Sequence, residues 1–297
     1  MKKAQKILIT GVRGLIGSST ISLLQKLGYN VVGLYRDKEK RKEPWECLSI
    51  DLFAQPIDKI LDPEEISCIV HCAAVLPDQF ENSKNIYEYN KIIDRNVLEF
   101  SRQYQTGFIF FSSTSVYGFN QKMNYEDDKL IIPDAYSKGK YETELAVLDL
   151  PTSHKVVLRV NAPYSPWQER QTVLRKFIEK ALAGEDIYYH GTGGRQQDFT
   201  HASDIAKAVL QSLKHPAASG IYNISGGNPI SMIDLGKMIT QHVKDYHGQI
   251  VNSGLSDPQE EYKALFSIEK AALELKWYPE ISIEKGIITW IETKRID

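Results

Sequence analysis

Along the first half of the chain, short apolar runs alternate with longer stretches of helical period. Ile7–Ile9, Val31–Leu34, Ile66–Val70, Phe108–Phe111 and Val156–Val160 are apolar or β-branched runs without in-out alternation. Such runs suit strands buried on both faces, as in a parallel sheet. Between them, Ile16, Leu23, Leu24 and Leu27 share one helical face, and Gly28 supplies a stop. Ile86–Tyr104 and Tyr136–Leu148 are two further helices. Strand alternating with helix predicts an α/β, doubly wound parallel sheet with right-handed crossovers. The second half reads as helices in a more irregular frame. Val173–Leu182 is closed by Gly184, Ser203–Leu213 is capped by Ser203, and Ser231–Val243 is capped by Ser231 after the turn Ser225-Gly226-Gly227-Asn228-Pro229. Ala271–Leu275 and Ile283–Ile291 are helical in pattern, with Gly286 interrupting the last. The change of character divides the chain into a main domain over 1–165 plus about 198–224 and a smaller region over 166–197 plus 225–297, set over the mouth of the sheet. No internal repeat or low-complexity linker interrupts it.

With 297 residues, 42% hydrophobic and 25% charged, the chain has enough apolar content for a large core, which excludes a disordered chain. Lys plus Arg is 36 against 38 Asp plus Glu, a net charge of −2. The one dense charged stretch, Arg36–Glu43, is mixed in sign, so nucleic acid is a poor partner. The start, Met1–Lys6, is basic like the head of a signal peptide, but the apolar run after it is only Ile7-Leu8-Ile9. No apolar stretch approaches the ~20 residues of a membrane span. Three cysteines (Cys47, Cys68, Cys72) without metal-ligand spacing suit a reduced, cytoplasmic protein.

The first strand runs into Gly11-Val12-Arg13-Gly14-Leu15-Ile16-Gly17 and then a helix. This G-x-x-G-x-x-G spacing is one residue longer than the G-x-G-x-x-G fingerprint but shares its physics. Glycines let the backbone approach a pyrophosphate, and the helix N-terminus stabilises its charge. A dinucleotide is the expected ligand. At the end of the second strand an NAD enzyme places a carboxylate on the ribose 2′-hydroxyl. Here Tyr35 stands there and Arg36 follows, with Arg13 close by in the loop. Two guanidinium groups favour a 2′-phosphate, hence NADP. The alternative is NAD, with Arg36 solvated and Asp37 turned to the ribose.

In this order the motifs resemble the extended short-chain dehydrogenase/reductase family, which includes the NAD(P)-dependent epimerases and dehydratases of nucleotide sugars. Thr10–Gly17 is similar to its cofactor loop, with Gly11, Arg13, Gly14, Leu15, Ile16 and Gly17 on the dinucleotide. Asp51-Leu52 resembles the pair that holds the adenine. Val70-His71-Cys72-Ala73-Ala74, with Val75 after it, resembles the strand end under the adenosine ribose. Asn90 resembles the family's structural asparagine beside the cofactor. Phe111-Ser112-Ser113-Thr114-Ser115-Val116-Tyr117-Gly118 resembles the strand of the catalytic serine, Ser113, with Ser112 on the cofactor. Tyr136-Ser137-Lys138-Gly139-Lys140 is similar to the Y-x-x-x-K signature, with Glu144 following. Leu158–Pro166 resembles the strand leading to the nicotinamide, with Pro163 on the cofactor, and Asp198-Phe199 with Asp204 resembles the late R-D-F…V-x-D segment. The resemblance implies a Rossmann-type cofactor domain and a smaller C-terminal α/β region for substrate. Family members often dimerise, here through Ile86–Tyr104 and Tyr136–Leu148, so a homodimer is expected.

The chemistry of these residue types fits. Tyr136 and Lys140 lie four apart, on one helical face. A tyrosine with pKa ~10 is a poor acid–base group at neutral pH, and a neighbouring ammonium favours its phenolate. Ser113 can donate to a carbonyl oxygen while Tyr136 gives or takes its proton and the cofactor moves the hydride. Against these stand plainer expectations: His71 as a hydrogen-bonded structural residue, Cys72 as packing, and Tyr87, Tyr89 and Tyr104 as packing or subunit contacts. His190, His201 and His215 make no metal set.

Departures from the family pattern narrow the chemistry. The 4,6-dehydratases carry Asp-Glu after the catalytic hydroxyl, where this chain has Thr114-Ser115. The related decarboxylases carry glutamate at the Ser115 position, and the 3,5-epimerases a cysteine. What remains is redox at one carbon: an NADP-dependent 4-keto-sugar reductase, or an NAD-dependent 4-epimerase. A third, non-catalytic reading is a dinucleotide-sensing regulator. Ala162 follows Asn161 where many epimerases present an asparagine to substrate, and the arginine of R-D-F is Gln197, with Arg195 two residues earlier. Thr114, Ser115, Asn161 and Arg195 are the expected substrate contacts, on a nucleotide sugar whose base is open.

Overall fold

The structure is a computed structural model that describes residues 5–36, 44–76 and 83–296. In chain order the strands are β1 (Lys6–Thr10), β2 (Val31–Tyr35), β3 (Cys47–Ser49), β4 (Ile66–His71), β5 (Gly107–Ser113), β6 (Lys155–Val160), β7 (Pro163–Tyr164), β8 (Ile187–Tyr189), β9 (Gln196–Gln197), β10 (Thr200–His201), β11 (Gly220–Ile224), β12 (Ile230–Ser231) and β13 (Ile250–Asn252). The α-helices are α1 (Leu15–Lys26), α2 (Ser83–Tyr104), α3 (Ala135–Leu148), α4 (Val173–Leu182), α5 (Ala202–Lys214), α6 (Met232–His242) and α7 (Ile283–Ile296). None of the described helices is long and apolar enough to cross a membrane.

Seven strands form one all-parallel sheet in the order β11-β6-β5-β4-β1-β2-β3. The expected α/β, Rossmann-type doubly wound architecture is therefore present. Each β-branched run forms a strand because both of its faces meet helices. One core gathers Ile7, Ile9, Val70, Ile109, Phe111 and Leu158 under α1 and α5. The opposite face buries Leu8, Val32, Ile69, Phe108, Phe110 and Val157 under α2 and α3. Each fully buried apolar side chain contributes roughly 1.5–3 kcal/mol. A third core joins α4, α6 and α7 through Phe177, Ile178, Leu235, Ile239, Ile287 and Trp290.

The boundaries show where local pattern and tertiary contact diverge. β3 and β11, neither of which is an apolar run, add an edge strand at each end of the sheet. Helix α5 is capped not by Ser203 but by His201, whose ring nitrogen accepts the Ser203 N–H at 3.2 Å. The chain leaves β10 directly into the helix, which places the cap two residues earlier. Ser231 caps α6 as expected, accepting the Asp234 N–H at 3.1 Å. The Ala271–Leu275 segment closes as a single π-type turn, ended by Lys276 in the left-handed region. Helix α7 runs through Gly286, which is where Tyr164 packs: a Cβ there would overlap the Tyr164 hydroxyl.

One buried ion pair joins the sheet to α3. Arg159 on β6 is 2% exposed and Glu144 on α3 is fully buried. The guanidinium donates through Nε and Nη2 to the two carboxylate oxygens at 3.0 and 2.7 Å. Nη1 also donates to the Tyr117 hydroxyl at 2.8 Å and to the Glu126 carbonyl at 3.1 Å. Burial alone would lower the pKa of Arg159, but the Glu144 carboxylate reverses this and holds it above its ordinary value. Burial pushes the Tyr117 phenol up to about 12, so it stays a neutral donor, here to Asn223 Oδ1 at 2.7 Å.

Two stability predictions follow from this packing. Arg159→Met strands the Glu144 carboxylate and is expected to cost about 3–5 kcal/mol in urea unfolding, much of it recovered by adding Glu144→Leu. Gly286→Ala is expected to cost about 1–3 kcal/mol by overpacking against Tyr164. Combining it with Tyr164→Phe should be less damaging than the two single costs added together.

Candidate active site

In an open parallel sheet, ligands bind at the carboxyl ends of the strands where the winding reverses. Here that point lies between β1 and β4, whose last residues Thr10 and His71 are paired in register. Gly11 leaves β1 with φ +66, a region that suits glycine, and a Cβ on it would stand 2.8 Å from the Ala73 nitrogen. Gly17, in the first turn of α1, permits the same closeness: a Cβ there would overlap the Gly11 carbonyl oxygen. Gly14 is exposed, caps α1, and donates its N–H to Gly11 O at 2.9 Å. Leu15 and Ile16 open α1, so their N–H groups have no partner within the helix, and the first turn carries no acidic side chain. This cradle fits an anion such as a pyrophosphate.

Around it stand the other expected cofactor contacts. The Arg13 guanidinium lies 3.8 Å above the Tyr35 ring, so the loop and the end of β2 are joined by a cation–π contact. Arg36 is exposed beside them, and Asp37 lies outside the described residues. Asp51 accepts the Phe53 N–H at 3.0 Å, and the Leu52 carbonyl accepts from Asn96 on α2 at 2.7 Å. Ala73 and Ala74 are half-buried after β4. Asn90 clamps Val75 from both sides, accepting its N–H at 2.7 Å and donating to its carbonyl at 2.9 Å.

The catalytic candidates converge at the end of β5 and the first turns of α3. Asp134 caps α3 by accepting the Ser137 N–H at 2.7 Å, which fixes Tyr136 in the first turn. Tyr136 is half-buried. Lys140 is 6% exposed, donates to the Phe111 carbonyl at 2.9 Å, and lies 6.0 Å from the Tyr136 ring centroid. An ammonium has three protons, so two remain beyond the one given to Phe111. Ser113 Oγ accepts the Ser115 N–H at 3.1 Å, which leaves its own proton to donate. Ser137 donates to Ser115 Oγ at 3.0 Å, so Ser115 too keeps a proton to give.

Other sequence-identified residues have different surroundings. Ser112 alternates to the interior and donates to the Glu144 carboxylate. Thr114 and Asn161 are buried and bonded to each other at 3.1 Å, and Asn161 also donates to the Asp198 carbonyl at 2.9 Å. Ala162 after Asn161 has φ +26, and Pro163 of β7 is half-buried beyond it. Gln197, in the place of the R-D-F arginine, turns its amide towards Asn161 and the Asp198 carbonyl, each at 3.4 Å. Arg195 is paired with Asp257 at 3.1 Å and donates to Gln259 at 3.2 Å, on a different loop set from Ser113 and Tyr136. Among the described residues no group of three or more His, Cys, Asp and Glu gathers as a metal site.

Sequence reading missed the partners of His71. Its Nδ1 lies 2.7 Å from Thr10 Oγ1, its Nε2 lies 3.0 Å from Asp94, and the other Asp94 oxygen accepts from Thr143 on α3 at 2.7 Å. The one local signal was the i,i+4 spacing of Asn90 and Asp94, two polar residues on a face that also carries Ile93 and Val97.

Known proteins match this arrangement. A model of the NAD dependent epimerase/dehydratase family matches residues 7–225. A UDP-glucuronate 4-epimerase from Thermodesulfobacterium geofontis is 28% identical, over 94% of this chain and 93% of its own. A UDP-glucose 4-epimerase from Thermotoga maritima, solved with UDP-glucose, superposes with a TM-score of 0.86 at 24% identity, covering 98% of this chain and 99% of its own. A dTDP-glucose 4,6-dehydratase from Bacillus anthracis, solved with NAD, superposes with a TM-score of 0.82 at 21% identity, covering 99% and 97%. A family match over most of the chain, on a fold with its cofactor cradle at the sheet's reversal point, makes this an enzyme of the NAD dependent epimerase/dehydratase family, in the extended short-chain dehydrogenase/reductase group.

Proposed function

We propose that the chain performs redox at a single carbon of a nucleotide-linked sugar, reducing a 4-keto group with NADPH. The observation that carries this is a complete Ser113, Tyr136 and Lys140 set with hydroxyls, not carboxylates, at Thr114 and Ser115. Proton abstraction from a neighbouring carbon, which elimination requires, has no base at those positions. The residues fit a nicotinamide dinucleotide: the glycine cradle and the α1 N-terminus would hold its pyrophosphate, and Lys140, with two protons beyond the one given to Phe111, would hold its ribose. Bound there, the dinucleotide supplies or accepts a hydride. Ser113 keeps its proton and donates a hydrogen bond to the sugar oxygen, which polarises the carbonyl. Tyr136 delivers a proton to that oxygen as the alkoxide forms, and the Lys140 ammonium favours the phenolate left behind. Ser115 gives a second donor for a substrate oxygen. Arg13, stacked on Tyr35, together with Arg36 supports NADP, since two guanidinium groups suit a 2′-phosphate.

A second reading, a 4-epimerase with retained NAD, is favoured by the likeness to the UDP-glucuronate and UDP-glucose 4-epimerases. The same side chains serve it, with Tyr136 taking the proton first and returning it after the ketosugar turns over. As in the family, the two copies of a homodimer would meet through α2 and α3, and the protein would work in the cytoplasm on a soluble substrate. Light scattering at micromolar concentration should then give twice the chain mass.

The deciding measurement is to denature the purified protein, identify any released dinucleotide, and titrate the emptied protein with NADPH and NADH. Empty protein that prefers NADPH, and then oxidises it with a nucleotide-linked ketosugar, is the expected result. Tightly held NAD with sugar interconversion and no net redox selects the epimerase. In either case Tyr136→Phe should lower turnover by about 100-fold or more with cofactor affinity little changed. Full activity in Tyr136→Phe would remove the mechanism.

A further inference from the structure

Helix α3 and the cofactor loop are joined by a run of four side chains from four different elements. His71 of β4 and Asp94 of α2 are 1% and 3% exposed. His71 lies against Phe108 and Phe110, with ring centroids 6.1 and 6.0 Å away. A polar pair so deeply buried must have its hydrogen bonds met within the protein. It does, and the donors and acceptors fix the direction of every bond. Thr10 Oγ1 accepts the N–H groups of Cys72 at 3.1 Å and Ala73 at 3.0 Å. Both of its lone pairs are then engaged, so its own proton points to His71 Nδ1. His71 therefore carries its proton on Nε2 and donates it to Asp94 Oδ1. Asp94 Oδ2 accepts from the Thr143 hydroxyl, which also lies 3.0 Å from the Gly139 carbonyl of its own helix.

One end of this run lies beside the glycine cradle and the other on the helix that carries Tyr136 and Lys140. At one end Thr10 holds the Cys72 and Ala73 amides, and Ala73 is the residue against which Gly11 is pressed. At the other end Thr143 continues the helical stripe Tyr136, Lys140, Thr143. We propose that His71 and Asp94 are positioning residues that hold the cofactor loop and the catalytic helix in one fixed relation, so that occupation of the glycine cradle is felt as a stiffening of α3 around Tyr136 and Lys140. The inference rests on the dinucleotide reading of the cradle and not on the identity of the sugar. Thr10 and Thr143 serve as its two anchors. Removing the Thr143 hydroxyl uncouples α3 while leaving the cradle itself intact.

The test is amide hydrogen exchange over Ala135–Val147 with and without NADH or NADPH, alongside fluorescence titration of the dinucleotide. In the native protein the bound dinucleotide should slow exchange in α3 by about tenfold. Thr143→Val should bind it within about threefold of native yet lose that slowing, and Thr143→Ser should restore it. A purely structural pin would lower the thermal midpoint of Thr143→Val while leaving the dinucleotide-induced slowing in place, and that result overturns the proposal. Should Thr143→Val not fold, the native protein decides alone. Nitrogen-15 spectra should show His71 as the Nε2–H form, with its proton signal moved by the dinucleotide. A signal that does not move, or the Nδ1–H form, overturns it equally. Native protein that binds neither dinucleotide removes the cofactor reading and this inference together, whereas binding without turnover of any sugar leaves the test standing.

Discussion

A parallel sheet covered by helices on both faces has no wet side, and the arrangement of this protein follows from that. Polar groups within the layers must be paired internally, and those left free must emerge where the strands end. Arg159, Glu144, Tyr117 and Asn223 satisfy the first condition as one connected set beneath α3. Thr10, His71, Asp94 and Thr143 satisfy it as a second, between the cofactor loop and the same helix. Ser113, Ser115 and Tyr136 satisfy the other condition. They lie at the end of β5, in the turn after it and in the first turn of α3, half-buried, and the two serines each accept a hydrogen bond that leaves the hydroxyl proton to give.

Helix α3 is the common member of these sets. Its first turn is fixed by the Asp134 cap, its middle by Lys140 on the Phe111 carbonyl, and its later turns by Thr143 and Glu144. A helix carrying this many buried polar residues gains less from burial than an apolar one, and its position is set by directional bonds instead. Directional bonds of this kind hold the first turn of the helix, with Tyr136, in one place relative to the end of β5.

Three positions late in the chain depart from the motifs of the resemblance: Ala162, Arg195 and Gln197. Gln197 and Arg195 are both engaged by neighbouring side chains or carbonyls, and Ala162 takes a positive φ without glycine or asparagine to ease it. These departures lie outside the glycine loop and outside the Ser113, Tyr136 and Lys140 set.

By itself the sequence determined what depends on neighbours in the chain. Apolar runs set five strands, helical period set the long helices, and the three glycines set a loop whose backbone must come close to Ala73. The four-residue spacing of Tyr136 and Lys140 set their common face. Local pattern was weakest at the sheet's edges, where β3 and β11 form by pairing with strands already in place, and at α5, whose cap shifted to His201 because the preceding residues pair with β7. Tertiary structure alone decided which buried polar groups meet. Thr10 and His71 are 61 residues apart, His71 and Asp94 23, and Asp94 and Thr143 49. No periodicity encodes such pairings. They arise because burial forbids an unpaired donor or acceptor, and only the packed sheet and helices determine which partners lie within reach.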